Sequence, residues 1–131
     1  MDALTGGDAT GAPPAAFVPD CLFCRIVAGE IPADVVRDSG RTLAFRDISP
    51  QAPTHVLVVT KDHHANAAAL TAGDPGLASV LLAEAVAVAV MEGVAEAGYR
   101  LVLNTGSQGG QTVDHVHVHV LGGRHMTWPP G

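Results

Sequence analysis

The chain has 131 residues, of which 47% are hydrophobic and only 15% charged. That composition excludes a disordered chain and leaves room for one globular domain. Seven Lys+Arg against 13 Asp+Glu give a net charge of −6 with His neutral, and the aromatics are only Phe 3, Tyr 1 and Trp 1; this excludes a phosphate-neutralising nucleic-acid surface and a base-stacking platform.

Residues 1–18 are mostly Ala, Gly, Pro, Thr and Asp, too poor in large apolar groups to offset their ordering entropy. They are expected to be a flexible tail, with one domain over 19–131. Residues 1–20 lack the basic and apolar regions of a secretory signal. The longest apolar stretch, Leu77 to Met91, is interrupted by Glu84 and falls short of the roughly 20 residues a bilayer needs. The expectation is a cytoplasmic protein without membrane contact.

Leu22, Phe23, Ile26 and Val27 have helical spacing, so Cys21–Ala28 is expected to be a short helix ended by Gly29. Two short strands, Val35–Asp38 and Thr42–Arg46, flank a Ser-Gly turn. Pro50 and Pro53 mark a loop, and His55–Thr60 is a β-branched strand. Asp74-Pro75 supplies an N-cap and a proline at N1 for a long helix to about Ala97, closed by Gly98. Tyr99–Asn104 is a strand, Gly106–Gly110 a loop, and about Asp114 to Leu121 the last strand. The fold class is α+β: a five-stranded antiparallel meander with one long and one short helix. The long helix is apolar nearly all round, which points to a cover on a second side and hence a dimer. An alanine-rich helix tolerated on the surface is the alternative.

His115-Val-His117-Val-His119-Val-Leu121 is the strongest chemical signal. Strand side chains alternate faces, so three imidazoles share one face and the valines the other. One strand histidine is usually structural; three each need partners for their ring nitrogens. Same-face positions lie about 6.5–7 Å apart, too far for all three to reach one metal at ~2.1 Å, so the rings divide different tasks. Cys21-Leu-Phe-Cys24 is weaker: half a zinc site, a redox pair or two buried thiols. His63 and His64, after Lys61-Asp62, are expected to be solvated.

The His115–Leu121 segment resembles the histidine triad (HIT) pattern. Flanking segments agree in order and spacing: Ile31-Pro32-Ala33, Phe45 to His55, Gly109-Gly110-Gln111-Thr112, Gly122-Gly123-Arg124 and Trp128-Pro129-Pro130-Gly131. Together they look like the Hint branch, purine nucleoside phosphoramidases, over Pro19–Gly131. The resemblance implies hydrolysis of the P–N bond of AMP-type or GMP-type 5′-phosphoramidates through a nucleotidyl-histidine on His117. His119, Asn104 and Thr112 match positions that contact the phosphate, with the Gly110 backbone close by. Leu22, Phe23, Ile26, Ile31, Phe45, Ile48 and Leu57 match the walls around the base, and Asp47 the carboxylate on the ribose hydroxyls. It also implies one structural Zn²⁺ on Cys21, Cys24, His55 and His115, with no organic cofactor. The expected assembly is a homodimer with a continuous sheet across a two-fold axis, each Trp128 tail near the other subunit's site. The chain departs from the pattern at Thr112 (commonly Ser), Asp114 (commonly aromatic) and Thr105 (commonly acidic), which bear on substrate preference and rate. Two other functions compete: a nucleotide-binding regulatory protein with incidental hydrolysis, and a dinucleoside polyphosphate hydrolase of the fragile-histidine-triad branch. The Gln111-Thr112 segment and the Trp-Pro-Pro-Gly end argue against the latter.

Overall fold

In chain order the elements are α1 (Leu22–Val27), β1 (Val35–Asp38), β2 (Thr42–Arg46), β3 (Thr54–Thr60), α2 (Ala67–Gly73), α3 (Pro75–Met91), β4 (Tyr99–Val102) and β5 (His117–Gly122). The computed structural model describes residues 17–131. The expected tail lies outside the described residues as far as residue 16. At its end, Val18 donates its N–H to Cys24 Sγ at 3.4 Å.

The five strands form one antiparallel sheet in the order β1-β2-β3-β5-β4. It is not a simple meander. The chain leaves β3, crosses the sheet through α2 and α3, enters the far edge as β4, and returns as β5 between β3 and β4. The apolar run of β3 is buried on both faces. Val56 and Val58 join Val116, Val118 and Val120 beneath Leu77, Leu81, Ala85 and Val88 of α3. Leu57 and Val59 turn the other way and pack with Leu43, Phe45 and Phe23. The alternation of period 2 thus splits one strand between two cores. Each fully buried Val or Leu contributes about 1.5–3 kcal/mol relative to exposure.

Three further expectations are corrected. The long helix ends at Met91 rather than about Ala97. Gly93 takes φ +76° and donates to Val90 O, while Val94 donates to Ala89 O; this pair of bonds is a Schellman motif, which needs a left-handed residue at that point. A second short helix, α2, lies in a segment with no expected element, so the fold has three helices rather than the expected two among the described residues. Asn66 caps it by accepting from Ala69 N–H at 2.9 Å. Last, β5 starts at His117, so His115 lies before the strand and not in its alternation.

Candidate functional site

The register between β3 and β5 decides which histidines meet. Val59 faces His117, Leu57 faces His119 and His55 faces Leu121. His55 and His119 are therefore diagonal neighbours on one face. His115 lies six residues from Leu121 in the sequence, roughly 20 Å of extended chain away. His55 is thus remote from the cysteine pair, and its expected place as a metal ligand is corrected. His63 takes that place, because the loop after β3 folds back beside His115. The loop is held there by the His64 carbonyl, which accepts from Val116 N–H at 2.7 Å.

Cys21, Cys24, His63 and His115 bring four ligand atoms together. Cys21 Sγ and His115 Nδ1 are 3.3 Å apart, Cys24 Sγ and His63 Nδ1 3.4 Å, Cys24 Sγ and His115 Nδ1 3.6 Å, and the two Nδ1 atoms 3.2 Å. A tetrahedron with ordinary zinc bond lengths has S–N edges of about 3.6 Å and N–N edges of about 3.3 Å. The protonation chemistry fits as well. His115 Nε2 donates to the Thr60 carbonyl at 2.6 Å, which leaves its Nδ1 lone pair facing the sulfurs. Burial pushes His115 down to about 4 and also lowers His63, so both rings are neutral ligands at pH 7. Burial pushes the Cys24 thiol up, so a thiolate there calls for a cation beside it. The donor set is that of a single structural Zn²⁺ site per chain, four-coordinate and closed. When bound, the ion supplies a crosslink between α1 and the entry to β5.

The neighbouring cavity has a volume of about 550 Å³, a size that takes a nucleotide. Leu22, Phe23, Ile26, Ile31, Phe45, Asp47, Ile48 and Leu57, together with His117, His119 and Thr112, line it. Pro32, Ala33 and Arg46, which lie in matching segments but were given no role, line it too, as do Asp34 and Val113, which only adjacency to named residues could have flagged. Asn104, Gly110 and Trp128 are not among the lining residues, and Trp128 is 81% exposed. Phe23 stands edge-on to Phe45, His115 and His117, tying the apolar wall to the histidines. Gln111, which lies in one of the matching segments but was given no role, braces the loop before β5. Its Nε2 donates to Ala65 O and Val113 O, and its Oε1 accepts from Gly106 N–H. At Gly109 a Cβ would lie 2.4 Å from Thr105 O, so only glycine closes this loop.

His117 Nδ1 is 2.7 Å from the His115 carbonyl, an acceptor only, so Nδ1 carries the proton. Nε2 then holds the lone pair. Burial lowers the ring's pKa against the raising effects of that carbonyl and of Asp47. Burial also lowers His55, and it takes His119 to about 4 with help from His117 and His55. Asp47 Oδ1 accepts from Ser49 N–H at 2.8 Å, and its Oδ2 lies 3.4 Å from His55 Nε2. Two imidazoles, His117 and His119, and the Asp47 carboxylate thus border one apolar cavity. No helix among the described residues is long and apolar enough to cross a membrane.

The family model described as HIT domain matches residues 28–126. An uncharacterised HIT-like protein of Synechococcus elongatus is 51% identical over 112 residues, covering 86% of this chain and 97% of that protein. A 14 kDa zinc-binding protein of Zea mays is 47% identical over 112 residues, covering 84% of this chain and 87% of that protein. Among solved structures, a HIT family hydrolase from Legionella pneumophila superposes with a TM-score of 0.82 at 54% identity. That match covers 86% of this chain and all of the other.

Proposed function

The chain belongs to the HIT family, and from that premise we propose that it is a purine nucleoside phosphoramidase acting through a nucleotidyl-histidine on His117. The Legionella pneumophila relative is described as a hydrolase, which supports the class of reaction. The observation that carries the reading is the His117 ring: neutral, with Nδ1–H anchored on a backbone carbonyl and Nε2 left as the nucleophilic atom. Nε2 attacks the α-phosphorus, the P–N bond breaks, and the departing amine takes a proton from water. A second water attacks phosphorus, the bond to Nε2 breaks, and the nucleoside monophosphate leaves with a proton released. Breaking one P–N bond while forming another keeps the first step from being steeply uphill. Stabilising the phosphoryl charge falls to His119 and Thr112, with Asn104 and Gly110 as family-matched contributors. The apolar wall takes the base, and Asp47 accepts from the ribose hydroxyls. Nothing in this scheme passes through the metal. Cysteines kept as thiols suit a reducing cytoplasm. A homodimer completes the proposal, with Trp128 reaching the partner's cavity.

The test compares adenosine 5′-phosphoramidate with diadenosine polyphosphate for the wild type and His117→Ala. Turnover of the phosphoramidate that the variant loses by at least about 10³-fold, with adenosine monophosphate still bound, supports the reading. Preferential cleavage of the dinucleotide would move the protein to the other branch. Binding without turnover would make it a regulatory nucleotide-binding protein.

A further inference from the structure

We propose that His55 is a positioning residue that sets the tautomer of His119, so that His119 presents an Nε2–H donor to the phosphate site. His55 is anchored by a backbone amide, which can only donate. Gln51 N–H lies 3.0 Å from His55 Nδ1, so Nδ1 holds a lone pair. A neutral imidazole has one N–H, which must then sit on His55 Nε2. That atom is 2.9 Å from His119 Nδ1, which therefore accepts. The single proton of His119 is left on Nε2. The Asp47 carboxylate, whose Oδ2 lies 3.4 Å from His55 Nε2, favours a proton on that nitrogen through its charge.

The loop that supplies the amide is braced on both sides. Gln51 Nε2 donates to Ser49 O at 2.9 Å, and Arg124 Nε donates to Gln51 O at 2.9 Å. The amide is thereby held in a fixed direction. Protonating His55 would set two donors, Gln51 N–H and Nδ1–H, against each other. Geometry as well as burial therefore keeps the ring neutral. The titratable groups facing the pair are Asp47 from the loop after β2 and His117 from β5.

The same logic separates two clusters of metal-ligand type. Asp47, His55 and His119 also offer three donor atoms within 4.8 Å of one another. At His115 the anchored nitrogen is the protonated one, and the lone pair faces the cluster. At His55 the anchored nitrogen holds the lone pair, and the proton faces the cluster. The first arrangement suits a cation. The second makes a hydrogen-bond chain.

The catalytic consequence rests on the phosphoramidase reading; the tautomer itself does not. The test reads two-bond ¹H–¹⁵N histidine spectra of the uniformly ¹⁵N-labelled, zinc-loaded protein at pH 7. The His119 signals are assigned by their loss in His119→Gln. The expected result is protonated Nε2 and unprotonated Nδ1 for His119; the opposite pattern in the wild type overturns the proposal, whatever the variants do. His55→Gln keeps an N–H near the position of Nε2, so the tautomer and turnover should stay within a few-fold of wild type. His55→Glu offers only an acceptor, so the His119 proton should move to Nδ1. In that variant kcat for the phosphoramidate should fall on the order of 100-fold, with KM changed far less. A tautomer unmoved in a folded His55→Glu variant overturns the proposal. So does unchanged turnover with the tautomer moved. A wild type with the expected tautomer that turns over no phosphoramidate would sink the activity and leave the tautomer assignment supported.

Discussion

His55 and His63 show how much of a histidine's role is set by what its ring nitrogens meet. His55 opens β3 and His63 follows it; from the sequence, His55 is expected with the cysteine pair and His63 in solvent. The register of β5 sends His55 to His119, and the backward fold of the loop sends His63 to the metal cluster. His63→Ala should therefore lower the bound zinc well below one per chain, while His55→Ala keeps it; metal analysis of both purified variants decides this. His63 was illegible because its partner is 52 residues away and no local period marks it. Lining residues between Leu22 and Leu57 were nameable because several separate segments match one pattern in order and spacing. At this same scale the histidines predict a pH dependence. His119 lies near 4 when folded and about 6.5 when unfolded. Below about 6.5 the unfolded chain binds the extra proton, so stability is fully present above that pH and is lost as pH falls through about 4. Thermal melts of the zinc-loaded protein between pH 7.5 and 4 should show Tm falling with acid. His119→Gln should flatten part of the slope, and an unchanged slope would exclude His119 from it.

Among the elements, α1 depends most on something outside itself. It has only six residues, too few to persist alone. Cys21 caps it, with its sulfur accepting from Cys24 N–H at 3.4 Å, and both cysteines lie in the zinc-type cluster. The metal therefore staples to the sheet the helix that carries Leu22, Phe23 and Ile26 into the cavity. Cys21→Ser/Cys24→Ser should hold no zinc and melt at least about 5 °C lower, as for a loss of ~1 kcal/mol or more. KM for the phosphoramidate should rise several-fold more than kcat falls, since the base wall loosens and His117 stays on β5. A metal-free variant with wild-type Tm and KM would show that packing alone holds α1. Other elements were legible to different degrees for physical reasons. β1 and β2 have the bounds that their β-branched patterns and the Ser-Gly turn indicate. The end of α3 was misplaced because Gly93 and Gly98 are both plausible stops. Only the hydrogen bonds of Val94 and Gly93 back to Ala89 and Val90 select the first. α2 was missed because a seven-residue run capped by Asn66 has no amphipathic period of its own to detect.

At the scale of the molecule, one side of α3 stays uncovered among the described residues. Leu82, Val86 and Val90 follow one another at intervals of four and are 52%, 41% and 61% exposed. A small apolar groove of about 150 Å³ joins Leu82 to Leu103, just beyond β4. The apolar strip of the helix thus runs on to the end of an edge strand. The two sheet edges differ. β1 is irregular between Val35 and Arg37, which blunts it, whereas β4 pairs β5 in unbroken register and leaves its outer edge open. We propose that a second copy covers this surface, the α3 strips meeting while β4 pairs β4 across a two-fold axis. Such an arrangement is isologous, so one substitution strikes the interface twice. Light scattering at micromolar concentration should give twice the 13.3 kDa of one chain. Leu82→Glu/Val86→Glu should give a folded monomer, because both side chains are exposed in the single chain and the core beneath them, Leu77, Leu81 and Ala85, is untouched. The monomer should keep its zinc, since the four ligands come from one chain. A monomeric wild type, or a dimer unaffected by the two glutamates, would rule this interface out and leave the apolar strip of α3 a solvent-facing surface.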